Sequence, residues 1–508
     1  MTTVADCYVS DWYRHSSSPF LDGNYPHTPR ARERTGDWFV STTGSDSNSG
    51  MTSDTAFLTF AHAESAAEAG DTILVVNGTY SETLEPTKSN IAWMAQTIGG
   101  VTIQKTSDGA AIDIYSDTGT TYSYITVDGF IARSMGEYAA IRLNSQDNIA
   151  EASMTNNITL RNCGAFGSAN QTNTMTIGVS RVRDSLMEDC FSYGFGRKSI
   201  QIYGSHRITS RRIVARYDYW DGGGYKPGDP RHSFAIYNSL DCISEDIILL
   251  DAAPDPVGRV SSTRSAVAIE GNTSDTTTIT GASDNEFHNI ITINNIGRGL
   301  YSSGWSGGNN DNNVINNFIS YENQNNGFVL HAYTTDTTIS NLTIGEALYS
   351  GMRVNNDNVN GVAIDKTVLW NNTTYAFIMD GYDGYEGLNI SVTNTSVDGN
   401  PSSSDIEAAY TPTFNYLVAP TMVSGHERGA VITKRSVDGV LTDVDLWPFP
   451  NEDLIKEHML NSTDLIACNR VASGGAYWQP GWDAADTTLT RYIWEYLGNT
   501  IPDSIYGS

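Results

Sequence analysis

Positive charge is scarce in this sequence. Its 30 lysines and arginines stand against 58 aspartates and glutamates, a net charge of −28 over 508 residues. A field of that sign repels nucleic acid and anionic membranes, so neither is an expected partner, and it disfavours acidic polysaccharides unless cations bridge the charges. Cysteine is scarcer still. Cys7, Cys163, Cys190, Cys242 and Cys468 show no CxxC spacing, which points to neither a disulfide framework nor a zinc site. Cys163 and Cys190 follow strand-like runs at equivalent places in neighbouring repeats and are expected to be stacked, buried thiols. No apolar run approaches the roughly 20 residues of a membrane span. The opening MTTVADCYVSDWYRHSSSPF lacks the basic and apolar segments of a secretory signal. That suits either a processed chain or a protein made in a cytoplasm and not exported by the usual route, as phage virion proteins are.

What is plentiful is Asn, Ser, Thr, Gly and Asp, the vocabulary of an all-β protein with many turns. Residues 38–44 (WFVSTTG) read as a strand leading into a Gly/Ser/Asp turn. An Ala-rich amphipathic helix is expected over about 58–69, ended by Gly70 and Asp71, with the strand TILVVNGTY over 72–80. This arrangement resembles the N-terminal entry of right-handed parallel β-helix proteins of the pectate-lyase-like group. The resemblance implies a stack of rungs behind it.

Short apolar runs do recur about every two dozen residues from 91 to 400, as a solenoid requires. One series includes ITLRNCGAF (from Ile158), ISEDIILLD (from Ile243) and FHNIITINN (from Phe287). A second, interleaved, includes SIQIYG (from Ser199), SFAIYN (from Ser233), AVAIEG (from Ala266) and RGLYSS (from Arg298). Two strand series at one period mean a coil with at least two parallel sheets. The expected fold is therefore all-β, a right-handed parallel β-helix with short helical caps at both ends. The expected organisation is an N-terminal arm over 1–37, a cap and first strands over 38–90, the coil over 91–400, and an irregular, helical C-terminal cap over 401–508. Within that last part, helices are expected over 446–459 and 486–499. Aligning the first series puts Asp251, Asn295, Asn323 and Asn372 at one turn, where asparagines can hydrogen-bond along the axis.

The second series aligns Tyr203, Tyr237, Glu270, Ser302, His331, Asn355 and Asp380 into an outward column. Rungs stack at about 4.8 Å, so these side chains make a polar and aromatic stripe suited to sugar rings. Trp305 lies in the adjoining loop SSGWSGGNND. Longer intervals at 216–232 and 251–264 mark insertions, the places where a solenoid carries function. The first, YDYWDGGGYKPGDPRH, holds Trp220, Lys226 and Arg231 among carboxylates. By the resemblance to β-helix polysaccharide lyases, Lys226 or Arg231 would be the base that takes the proton next to a uronate carboxylate. Asp218, Asp221 and Asp229 would hold Ca²⁺, being hard oxygen donors. In a hydrolase version, Glu270 pairs with a carboxylate of the 251–255 loop as acid and base, and His331 and Trp305 complete the groove.

These readings converge on a carbohydrate-recognising protein with a polysaccharide partner, virion-borne or extracellular. It resembles tailspikes, with 1–37 as an attachment arm or homotrimer contact. A secreted polysaccharide lyase or glycoside hydrolase is the alternative, and a non-enzymatic assembly component is a third.

Overall fold

The computed structural model describes residues 34–398 and 406–408, apart from 106–108, 118, 135–138, 168–174, 195–196, 217–230, 251–263, 274–278, 294, 296, 306, 322, 346, 356–357, 371 and 380–388. More than half of the described chain is strand, and every strand pair in it is parallel. Among the described residues the strands form an eighteen-stranded sheet, an eleven-stranded sheet and a two-stranded ribbon. The chain alternates between the two large sheets. Lys198–Tyr203 lies in the shorter sheet, His206–Arg216 in the longer, His232–Tyr237 in the shorter and Ile243–Leu250 in the longer. The fold is a right-handed parallel β-helix. Alternate side chains point inward, and Ile200, Ile202, Phe234, Ile236, Val267, Ile269 and Leu300 are almost wholly buried in a core that continues from rung to rung. The first strand, Trp38–Val40, already pairs with Thr72–Val75, and that with Ile91–Ala95, so the coil begins before residue 91.

The helix before it is shorter than its alanine content suggests. It covers Phe60–Ala66, with Thr59 as N-cap accepting a hydrogen bond from the His62 amide. Phe60 packs on Tyr80 and Trp93, with ring centroids 5.1 and 5.7 Å apart. The 72–80 run divides into Thr72–Val75 and Gly78–Tyr80, with Val76 and Asn77 between the two. The expected helices over 446–459 and 486–499, and most of the 1–37 arm, lie outside the described residues.

One corner explains much of the Asn and Asp content. Asn90, Asn157, Asp184, Asp241, Asp284, Asn312 and Asp336 all have left-handed backbone, with φ between 46° and 58° for every non-glycine residue so placed. Their amides donate up the stack: Asp241 to the Ser283 carbonyl, Asp284 to that of Asp311, and Asn312 to that of Thr335. Asn and Asp tolerate this conformation at least cost after glycine. Arg207 shares the column and is held by Asp184 and Glu151 at 2.5 and 2.7 Å.

Asparagine ladders close two other corners. Asn295 and Asn323 stack as expected, the Asn323 Oδ1 accepting from the Asn295 amide at 3.1 Å. Asn372 accepts from the Ala347 amide, so alanine fills the rung between Asn323 and Asn372. Asp251 is outside the described residues. A second ladder escapes the sequence alignment: Asn313 Oδ1 accepts from the backbone and side-chain amides of Asn285 at 3.0 and 3.1 Å, and its Nδ2 donates to the Ala282 carbonyl. Both residues are buried. Asn313→Ala leaves these donors in a dry core and is expected to destabilise the fold by about 3 kcal/mol in urea unfolding. A loss below about 1 kcal/mol means that water replaces the ladder.

The outer face of the longer sheet carries a column of alternating charge. Asp128, Arg161, Glu188, Arg211 and Glu245 are in register on successive rungs. Asp128 accepts from Arg34, Arg161 and Asn162 at 2.8, 3.0 and 2.8 Å. Glu188 meets Arg211 and Arg212 at 2.6 and 2.9 Å. Cys163 and Cys190 are buried, unbridged and rung neighbours, as expected, and burial pushes the Cys163 thiol up to about 12. Cys242 is likewise buried and free. Among the described residues no helix is long and apolar enough to cross a membrane.

Candidate functional site

The outer face of the shorter sheet presents one polar column in strict register: Tyr115, Asn144, Ser180, Tyr203, Tyr237, Glu270 and Ser303. His331 follows, its Nδ1 3.1 Å from the Ser303 hydroxyl, and then Asn355. The stripe inferred from the sequence is therefore present, with one correction. Ser302 is not part of it: it pairs with Ile269 and Leu330, points into the core and bonds Thr334. In RGLYSS the inward residue is Leu300, so the two-residue period takes Ser302 inward and leaves Ser303 outside.

A second set of residues stands where the strands enter this sheet. Arg197, Arg231 and Arg264 are stacked, the Arg231 amide donating to the Arg197 carbonyl and the Ser265 amide to that of Arg231. One residue on, Lys198, His232, Ser265 and Arg298 share a register. Arg353 lies in the column of Tyr301 and Val329. A chain with a large net negative charge thus places several of its cations along one edge of this sheet.

The two sets meet. Lys198 Nζ lies 5.0 Å from the centre of the Tyr237 ring, which stacks on Tyr203 at 5.5 Å. The Arg298 guanidinium lies 4.1 Å from the centre of the Tyr301 ring. Trp305 tilts toward His331 with centroids 6.2 Å apart, and its indole hydrogen-bonds the Glu270 carboxyl. At 41% exposure it is the open aromatic surface of the site, whereas Tyr203 and Tyr237 cover one another. His232 bonds Ser265 through Nδ1 at 2.9 Å and brings Nε2 to 3.8 Å from Glu270.

Burial raises the Glu270 carboxyl above its usual range, and the charges of Lys198 and Arg231 pull it part of the way back. Burial, with Arg298 and Arg353 nearby, lowers His331 to about 4, and burial takes His232 well below its ordinary value. Both imidazoles are neutral near pH 7. Arg298 is buried, and its Nε and Nη1 find no hydrogen-bond partner; nor does His232 Nε2. Unmet guanidinium N–H groups in a covered site are costly unless an anion arrives.

A depressed histidine gives a stability signature. In the unfolded chain His331 takes a proton near pH 6.5, while in the fold it resists until about 4. The unfolded state binds more protons between those values, so this stabilisation is complete above about pH 6.5 and lost as pH falls through about 4. His331→Gln is expected to flatten the fall in melting temperature across that window. An unchanged slope would show that His331 titrates normally.

Of the residues singled out in the sequence, Glu270, His331, Trp305 and Arg231 come together here. Tyr203 and Tyr237 extend the face on one side and Asn355 on the other. Lys226, Trp220, Asp218, Asp221, Asp229 and Asp380 lie outside the described residues. Among the described residues no group of three or more metal-ligating side chains is arranged to hold an ion. Sequence reasoning missed Lys198, His232, Arg298, Tyr301 and Arg353. The signal was a repeated basic entry to the strands: Arg197-Lys198-Ser199, Arg231-His232-Ser233, Arg264-Ser265 and Arg298.

No protein family matches the chain, and no curated protein does. Among solved structures, the A-module of the Azotobacter vinelandii mannuronan C-5 epimerase AlgE6 is 14% identical over 71% of this chain and 93% of its own, with a TM-score of 0.35. The Dettilon tailspike protein is 12% identical over 71% of this chain and 64% of its own, at 0.36. The catalytic domain of a GH87 alpha-1,3-glucanase in complex with nigerose is 13% identical over 70% and 64%, at 0.42. Such scores say nothing of chemistry, and the architecture rests on the strand pairing of the chain itself.

Proposed function

We propose that the chain is a polysaccharide-active β-helix whose basic face takes an acidic glycan and removes the proton next to its carboxylate. The observation that carries this reading is the buried Arg298 with two unpaired N–H groups, set beside a neutral imidazole and a raised carboxyl. In this reading a sugar ring lies on Trp305 and its carboxylate pairs with Arg298 and Arg353. Those are the two charges that help depress His331, so neutralising them raises its basicity when substrate is bound. His331 Nε2 takes the proton from the carbon bearing the carboxylate. The electron pair forms a carbon–carbon double bond as the neighbouring carbon–oxygen bond of the glycosidic link breaks. The departing oxygen receives its proton from Glu270, which burial keeps protonated to higher pH than usual. Two rungs, about 10 Å, separate Glu270 from His331, and the side chains close that gap around the sugar. Arg231 acts as a cation of the binding edge, since a guanidinium does not give up its proton in a protein.

The full chain incubated with a panel of polyuronates should generate the ultraviolet absorbance of an unsaturated uronate end on one of them, and none on neutral glucans. Reducing ends released from a neutral glucan without that absorbance would instead establish hydrolysis.

A further inference from the structure

Where the strands leave the same sheet, the chemistry inverts. A cavity of about 490 Å³ lies beyond the ends of Ser265–Asn272 and Arg298–Trp305, within the size range of small-ligand sites. Its lining contains Glu151, His206, Asn309 and Asp311 over the apolar side chains of Leu240 and Ile279. No lysine or arginine is among the described lining residues. Arg207 is held by Glu151 and Asp184, and Arg183 by the Glu151 carbonyl and Asp184. His206 is lowered by burial and is an uncharged donor and acceptor. Two glycines, Gly281 and Gly307, leave main chain bare at the wall, and Gly307 has left-handed backbone.

We propose that this cavity is a second binding site, for an uncharged sugar residue. The two carboxylates repel anions and accept from hydroxyl groups, the imidazole and amide exchange hydrogen bonds in either sense, and Leu240 and Ile279 meet the carbon–hydrogen face of a ring. The cavity adjoins the exposed aromatic of the basic face, because Gly307 stands two residues after Trp305 and the Gly308 amide donates to the Trp305 carbonyl. Arg298–Trp305 runs from the basic edge to this cavity, roughly 23 Å along the strand. A glycan with an acidic residue near Arg298 would reach it with a neutral branch or neighbour. The site stands on its own lining and does not depend on elimination at the basic face.

Saturation-transfer NMR on the full chain with D-glucose, D-galactose and D-mannose tests the proposal, with D-glucuronate as the charged probe. At least one neutral sugar should bind in the millimolar range. Asn309→Trp, which fills the cavity, should abolish that binding. Glu151→Gln, which keeps the shape of this half-buried side chain and loosens its ion pair with Arg207, should weaken it roughly tenfold, and Arg298→Leu should leave it unchanged. Absence of any neutral-sugar signal, persistence of the signal in both cavity variants, or loss of the signal in Arg298→Leu overturns the proposal. Product formation from a polyuronate, measured separately, reports on the basic face alone.

Discussion

Arg298→Leu should make the protein more stable and nearly inactive. Its guanidinium is buried with Nε and Nη1 unpaired, a penalty of about 1–3 kcal/mol in the free protein. The face of Tyr301 offsets part of this, a cation–π contact contributing about 1 kcal/mol. Leucine keeps the bulk and removes the charge, so urea unfolding should show a gain of about 1 kcal/mol. Activity on an acidic polymer should fall by about 10²–10³, the scale of losing a preorganised donor to developing negative charge. Arg298→Lys should fall between, keeping charge without the planar fork. The combination is diagnostic. A variant that loses stability and activity together would mark Arg298 as a structural residue.

Asp128→Ala should have the largest effect on folding. Asp128 is almost fully buried and accepts from Arg34, Arg161 and Asn162. Truncation strands the ends of two guanidinium groups that it neutralises, and breaking such a buried ion pair costs about 3–5 kcal/mol. Rungs of a solenoid are stabilised by their neighbours, so loss should show first in strands around Ile125–Asp128 and Thr159–Arg161, read by hydrogen exchange. Replacing Asp128 and Arg161 together by leucine should recover part of the loss, because one stranded charge then goes with its partner. Equal destabilisation by the single and double changes would mean that the ion column contributes little as a pair.

The architecture was legible because burial imposes a period. Ile200 and Ile202 flank Gln201, Phe234 and Ile236 flank the small Ala235, and the recurrence of such runs says solenoid. Asn295 and Asn323 were legible for the same reason, one corner per turn. Register was harder. The step from Glu270 to Ser303 rather than Ser302 depends on which residue of RGLYSS enters the core, and Leu300 decides it through packing with Val267. The Asn285–Asn313 ladder was hidden because it lies in a corner between the two strand series.

The basic edge was obscured by net charge. A sum over the whole chain carries no information on where Arg197, Arg231, Arg264 and Arg298 fall, and only the strand register stacks them. The Glu270 and His331 environments follow from three-dimensional burial and from cations tens of residues away, which no local motif encodes. Lys226 and its surrounding aspartates lie outside the described residues, and Lys198, His232, Glu270 and Arg298 stand on the strands.

The central claim is that Arg298 waits for an anionic group of a glycan. The most direct measurement is a crystal structure of His331→Gln, slowed in proton abstraction, with an acidic oligosaccharide bound. The account predicts a sugar carboxylate hydrogen-bonded to Arg298 Nε and Nη1, the ring against Trp305, and the hydrogen on the carboxylate-bearing carbon directed at residue 331. An oligosaccharide bound elsewhere, with both Arg298 groups still unpaired, would contradict it.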